Sequence, residues 1–147
     1  MPACNNAPPI TEVNLPAGSP PSEALLTSDT PWVARGYLKE WPVVQHAAES
    51  AEKALEYLAS FYQGRPISAF LAESESKGRF FYNEDVSGFN FVQVNTRLDQ
   101  VFSKLLSLEE EPDPPSLYVG STQTSVWLPG FNESHPLPMT LPAVMTS

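Results

Sequence analysis

Residues 78–91 read GRFFYNEDVSGFNF and place five aromatic side chains in fourteen positions, on either side of an acidic turn. The turn residues 83–88 are of types that tolerate unusual backbone angles, and aromatic runs flank them. The pattern predicts a β-hairpin, with strands over residues 79–82 and 89–94, that packs one face onto a core. The alternation in the second strand is imperfect, so the sequence marks neither of its faces as the solvent side.

Composition and charge narrow the class of protein. The chain has 147 residues, enough for one domain, and 41% of them are hydrophobic, so a packed core can form. Its 8 basic and 17 acidic side chains give a net charge of −9, which argues against nucleic-acid binding and against adhesion to an anionic membrane. The sequence contains neither a membrane span nor a signal peptide, and the lone Cys4 can form no internal disulfide. We expect a soluble, cytoplasmic protein.

The 16 prolines suggest how the chain is divided. Those near the start predict that residues 1–30 form a flexible, proline-rich segment with little regular structure. The folded domain is then expected over residues 31–147. The tail, residues 128–147, keeps apolar residues between its prolines and is expected to lie against the rest of the protein.

The remaining periodicities predict alternating strands and helices. A helix is expected over residues 44–63, closed by Gly64 and Pro66, and a second begins at a capping box over residues 96–99. Four short stretches have the pattern of a strand, namely residues 32–35, 66–71, 116–121 and 125–128. This order predicts an α+β fold whose strands belong to a larger antiparallel sheet.

A search for chemistry finds no strong motif. The two histidines, His46 and His135, are not followed by an acid two residues on, and no cysteine pair occurs, so no metal-binding pattern is present. Phosphate-binding glycine loops and a nucleophile elbow are absent as well. The acidic run 109–111 with Asp113 is typical of a solvated loop. Most aromatics are expected in the core, whereas Tyr118, if inward-facing, needs a partner for its hydroxyl.

Five stretches in order resemble the front part of one family. They are PWVARGYLKEWPVV (31–44), YLASFYQGRPI (57–67), the aromatic hairpin GRFFY with GFNF (78–91), LYVGS (117–121) and LPGF (128–131). Together they resemble the N-terminal portion of the cupin-like proteins related to Jumonji-type oxygenases. In that resemblance the aromatic hairpin is a packing element in front of the barrel.

The resemblance implies helices packed on the first antiparallel strands of a double-stranded β-helix, here incomplete. A full-length family member is expected to bind iron(II) through His-x-Asp/Glu and a distal histidine, and to use 2-oxoglutarate and oxygen for hydroxylation. Tyr118 is the one residue carried over, as a contact of the cosubstrate. This chain alone lacks the metal triad, so it is expected to hold no cofactor, no metal ligand and no catalytic residue by itself.

Three interpretations stay open at this stage, and with them the question of whether this chain takes part in catalysis. The chain is either the front portion of a longer oxygenase, or a non-catalytic binding or dimerisation module derived from the cupin-like fold. In the second case exposed barrel strands would invite association, most simply as a homodimer. The third interpretation is that the chain is a small, unrelated α+β ligand-binding domain. The sequence does not identify a substrate.

Overall fold

The computed structural model describes residues 9–137, and within them one helix packs on a face of a small antiparallel sheet, with the other helices around it. A two-stranded parallel pair precedes this unit. The strands are β1 Thr11–Glu12, β2 Trp32–Val33, β3 Pro66–Ala72, β4 Phe91–Arg97 and β5 Ser116–Tyr118. The helices are α1 Glu23–Leu26, α2 Pro42–Glu49, α3 Ala51–Ala59, α4 Leu98–Ser107, α5 Thr124–Trp127 and α6 Phe131–Ser134.

Strand β3 is the centre of the main sheet, with β4 on one side and β5 on the other. Both pairings are antiparallel, and β4 covers the whole of β3, from Pro66 opposite Arg97 to Ala72 opposite Phe91. Strand β5 pairs only with the end of β3, where Phe70 lies opposite Tyr118. The strand predicted over residues 66–71 is therefore confirmed, as is the α+β class with an antiparallel sheet.

Side chains alternate across β3 and separate two faces. Ile67 and Ala69 are buried on the face that carries α4, whose Leu98 and Val101 are buried as well. These residues form a thin core, because no large side chain in the described chain is fully buried. Residues 9–137 contain the expected helices but only a three-stranded main sheet, not a closed barrel. The complete double-stranded β-helix therefore stays a prediction.

The long helix predicted over residues 44–63 is in fact two helices, α2 and α3, separated at Ser50. Ser50 has extended backbone angles, φ −166° and ψ 162°, and its hydroxyl accepts a hydrogen bond from the Lys53 amide at 3.0 Å. Serine at this position ends α2 and caps α3, because its side chain satisfies an amide that has no partner within the helix. The apolar periodicity continues across the break and conceals it.

The predicted hairpin strands, 79–82 and 89–94, differ from the structure. Only Tyr82 and Phe89 form an isolated antiparallel bridge, while β4 begins at Phe91 and pairs with β3 instead. Because β3 offers β4 seven consecutive partners, pairing with β3 satisfies more backbone groups than the short aromatic run could.

The later elements also bring corrections. The strand predicted over 116–121 stops at Tyr118, and Ser121 adopts a left-handed φ of 55° that ends extended structure. Residues 125–128 were predicted as a strand, but this region forms helix α5. The capping box is wrong too, because Arg97 is the N-cap of α4 and makes no side-chain cap hydrogen bond.

The described part of the N-terminal segment packs against the domain. Strands β1 and β2 pair in register, with Thr11 opposite Trp32. The Trp32 indole donates a hydrogen bond to the carbonyl of Leu25 in α1 at 2.8 Å, and the Tyr37 hydroxyl donates to the Ser19 carbonyl at 2.5 Å. These contacts tie residues 11–25 to the start of the domain.

His135, just after α6, fastens the end of the described chain to the start of α2. Its Nε2 accepts a hydrogen bond from the Val43 amide at 3.2 Å, and its Nδ1 lies 2.7 Å from the Phe131 carbonyl oxygen. Because Nε2 accepts, the proton of the neutral ring lies on Nδ1 and is donated to Phe131. Trp41, the N-cap of α2, offers no side-chain cap, so the imidazole takes that role from 92 residues away.

We predict that His135→Phe lowers the free energy of unfolding by about 2 kcal/mol, because the aromatic ring is kept while two hydrogen bonds are lost. Chemical denaturation measures this difference. His46→Phe is the matched control: His46 stacks on Tyr57, but its buried Nδ1 has no partner, so the substitution removes no hydrogen bond of that atom and should not lower the stability. Equal losses in the two variants would contradict the capping role.

Candidate functional site

The face of the main sheet opposite α4 is the candidate site, and we call it the open face. It carries side chains from all three strands, because alternate residues of β3 and their partners point the same way. Its members are Ser68, Phe70, Ala72, Phe91, Gln93, Asn95, Ser116 and Tyr118. The face is divided into an aromatic end and a polar end.

Aromatic rings cover one end of the open face in a continuous cluster. The Phe70 ring lies 5.6 Å from that of Phe91 and 6.0 Å from that of Tyr118, measured between centroids. Phe80 lies across the same rings, 5.6 Å from Phe91 and 5.7 Å from Tyr118. These separations fall in the range in which aromatic pairs attract each other. Phe80 thereby brings the aromatic hairpin, residues 78–91, over the end of the sheet.

The side chain of Asn90 holds the aromatic hairpin in place where a strand was predicted. Its Oδ1 accepts from the Phe81 amide at 2.8 Å, and its Nδ2 donates to the Arg79 carbonyl at 2.8 Å. The Asn90 amide donates to the Phe81 carbonyl at 2.9 Å. One asparagine thus supplies hydrogen bonds that a ladder of backbone groups would otherwise make.

The turn of the hairpin is closed by a second set of side-chain hydrogen bonds. The Asn83 Oδ1 accepts from the Gly88 amide at 3.1 Å. The Ser87 hydroxyl donates to Asp85 at 2.7 Å and the Ser87 amide at 3.1 Å. These two bonds, the hydroxyl first, lower the pKa of Asp85 below its ordinary value because they favour the carboxylate. The folded turn therefore favours the charged carboxylate form of Asp85.

Tyr118 lines an open cleft of about 590 Å³, together with Gly78, Phe80, Ser116 and Leu117. About half of the residue, 51%, is exposed. The ring folds back over Gly120, and a Cβ at that position would overlap the Tyr118 hydroxyl and ring carbons. Glycine is thus required at position 120 for Tyr118 to keep this orientation. The cleft lining contains no charged side chain.

The other end of the open face is polar. The Gln93 amide donates to the Ser68 hydroxyl at 3.1 Å, and that hydroxyl lies 3.4 Å from Asn95 Oδ1. Gln93 and Asn95 are exposed. A row of uncharged hydrogen-bonding groups therefore adjoins the aromatic cluster, so one face offers both stacking surface and polar contacts.

The histidines do not meet at this site. Both ring nitrogens of His135 are engaged by the backbone, and its ring packs on Phe131, 3.9 Å between centroids, within a group that includes Trp41, Tyr57 and Phe61. Within residues 9–137, no three His, Cys, Asp or Glu side chains are placed to hold a metal ion. The residues present therefore do not fit an iron centre of the kind that the resemblance implies.

The expectation that most aromatics lie in the core is wrong. Phe81, Tyr82 and Phe89 are 68%, 49% and 59% exposed, and Phe80 and Phe91 are half-buried. The tryptophans Trp32, Trp41 and Trp127 are half-buried as well. Aromatic residues at this end of the open face stack on one another, with Phe80 of the hairpin lying over Phe91 and Tyr118.

Sequence reasoning missed Asn90 and the role of His135. Asparagine within an aromatic strand pattern was a weak signal, since the residue is uncommon in strand interiors and prone to bond the local backbone. His135 carried no local signal at all, because its partner is Val43.

Comparison with known proteins gives one match. The family model described as the cupin-like domain matches residues 20–147, which includes α2 to α6 and the main sheet. The match begins eleven residues before the boundary expected at residue 31. No curated protein and no solved structure matches the chain. Among residues 9–137, no helix has the length and apolar character that crossing a bilayer requires.

We predict that Gly120→Ala displaces the Tyr118 ring, because the new methyl group occupies the space of the ring. In NMR spectra of protein with labelled tyrosine, the Tyr118 ring signals should shift. Gly88→Ala is the control, since the nearest atom to a Cβ there, Asn83 Nδ2, lies at an ordinary 3.7 Å. Tyr118 signals that respond alike to both substitutions, or to neither, would show that Gly120 does not set the ring orientation.

Proposed function

The chain belongs to the cupin-like domain family, and on that basis we propose that it forms the front part of a Jumonji-related oxygenase that uses iron(II) and 2-oxoglutarate. The family match over residues 20–147 carries this proposal. The antiparallel sheet with a helix on one face supports it, because such a layer fits the entry to a double-stranded β-helix. The open face would then line the interior of the barrel.

The metal ligands of the proposed oxygenase come from sequence outside these 147 residues. Neither His46 nor His135 has an acidic residue two positions later, and His135 is held by two backbone groups. Iron, when bound, would supply oxygen activation; no step of that chemistry is assigned to residues of this chain. What this chain contributes is the support and one wall of the site.

Within that wall, Tyr118 is the residue proposed to contact 2-oxoglutarate. Tyr118 lines an open cleft, its hydroxyl can donate a hydrogen bond, and Gly120 leaves space for the ring. The cleft lining lacks a cation, so the charge of a carboxylate would be balanced by residues from the rest of the parent protein.

The direct test is to sequence the transcript beyond the codon for Ser147. An open frame that continues into a strand with His-x-Asp/Glu, followed by a later histidine, is the expected result. A stop codon at that point would overturn the proposed oxygenase parentage.

In the longer protein, Tyr118→Phe should raise the KM for 2-oxoglutarate about fivefold, the equivalent of one hydrogen bond of about 1 kcal/mol. Decarboxylation of 2-oxoglutarate provides the assay. Tyr82→Phe is the control, since Tyr82 is similarly exposed but lies on the hairpin, stacked on Phe89. An unchanged KM for Tyr118→Phe would remove this tyrosine from the cosubstrate site.

A second candidate function is homodimerisation through the open face. Phe89 and Tyr118 are more than half exposed and belong to one continuous aromatic cluster. Strands β4 and β5 also have unpaired outer edges within the described residues. Exposed apolar patches and free strand edges both favour association with another polypeptide.

If this second function holds, light scattering of the 147-residue chain should give the mass of a dimer, and Phe89→Asp should give a monomer. The substitution places a charge in the proposed interface at a position already 59% exposed, so the monomer should still fold. Ile10→Asp, at an equally exposed apolar residue near β1, is the control and should stay dimeric. A monomeric wild-type chain would exclude this candidate.

A further inference from the structure

A second apolar surface lies between α3 and α4, away from the open face, and its chemistry differs from that of the aromatic cluster. Six residues line this groove of about 330 Å³: Ala51, Ala54, Leu55, Leu105, Leu106 and Glu109. Only Glu109 contributes a charged side chain to the lining. We call this surface the α3–α4 groove.

The sequence of the two helices explains why the α3–α4 groove is open. In α4, Leu98, Val101 and Leu105 form one stripe at helical spacing; the first two are buried, whereas Leu105 is 40% exposed. The stripe therefore extends beyond the part of the helix that is covered. In α3, alanines at positions 51 and 54 leave room beside the leucines, so a channel remains between the helices.

One end of the α3–α4 groove is acidic. Glu109 lines the groove, and Glu110 and Glu111 follow it directly in the chain, all three exposed. We call these three glutamates the acidic rim. On the α3 side the lining is apolar, with Ala51, Ala54 and Leu55.

The acidic rim lies at the carboxyl end of α4. Residues 109–111 follow directly after α4, which ends at Ser107 with Leu108 as its C-cap. The carboxyl end of a helix carries partial negative charge, so cations are attracted to it. A cationic ligand at the groove would therefore be attracted by both the rim and the helix end.

We propose that the α3–α4 groove binds a basic amphipathic helix of a partner protein. Leucine-sized side chains of that helix would fill the channel, and its lysines or arginines would face residues 109–111. A third helix is the natural occupant, because a groove between two packed helices accepts another set of side-chain ridges. A second copy of this chain and an anionic membrane are disfavoured, since both would bring negative charge to a negative rim.

The test uses a synthetic helical peptide with leucine at positions i, i+3, i+4 and i+7 and lysine elsewhere. Titrated into the 147-residue protein, it should shift the amide NMR signals of Ala54 and Leu105. A peptide with glutamate in place of lysine should not bind. Raising the salt to about 0.5 M should weaken binding of the lysine peptide, because screening removes the contribution of the rim.

Two pairs of variants make the test specific. Neutralising residues 109–111 together to glutamine should weaken the calorimetric affinity about tenfold. The matched control neutralises Glu73, Glu75 and Glu84, which lie around a different cleft, and should change the affinity less than about twofold. Leu105→Glu should abolish binding, whereas Val92→Glu, at a valine of β4 that is 61% exposed, should leave it intact.

The proposal is overturned if the peptide does not bind, if Leu105→Glu binds as well as wild type, or if both neutralised variants weaken binding equally. The last result would mean that the peptide responds only to the net charge of the protein. None of these outcomes depends on iron, 2-oxoglutarate or the open face, so the oxygenase proposal is tested separately.

Discussion

One imidazole joins the end of the described chain to the start of α2, and the packing of the helices depends on it. His135 caps α2 through Val43 and bonds Phe131 through its other nitrogen, while Tyr57 and Trp41 pack against the ring. This arrangement uses every hydrogen-bonding group of a neutral histidine. It also explains why a histidine in a proline-rich tail is buried, only 4% exposed. The same contacts fix α6 against α2 and α3, and α3 in turn packs against α4, the helix that lies on the sheet.

The sequence was informative where local pattern and long-range pairing agree. Strand β3 is a short, mostly apolar run that begins at Pro66, and its position and the α+β class could both be predicted. The sequence was misleading where a single side chain determines the local backbone conformation. Ser50 splits a helix whose apolar periodicity is unbroken, and Asn90 replaces a strand ladder with side-chain bonds. The helix at Thr124–Trp127 was read as a strand because a short apolar run has no distinguishing period.

The candidate site was predictable only in part, for a related reason. Tyr118 was singled out by its residue type and strand context, and the structure places it at a cleft on the open face. Its contact with the cosubstrate stays a prediction. The polar end of that face, Ser68 with Gln93 and Asn95, could not be foreseen. Those three residues come together only through the register of β3 and β4, and register is set by the whole pairing, not by any one stretch.

A thin core leaves this domain with two uncovered apolar surfaces of opposite character. The open face combines aromatic rings with uncharged polar groups, and its strand edges offer backbone hydrogen bonds, so it suits further β-structure, either from the same parent protein or from a second copy. The α3–α4 groove has aliphatic walls and an acidic rim at a helix carboxyl end, so it suits a cationic helix and repels another copy of the chain. Charge therefore distinguishes the two surfaces. The proposed barrel or homodimer contacts belong to the open face, and the proposed basic helix belongs to the α3–α4 groove.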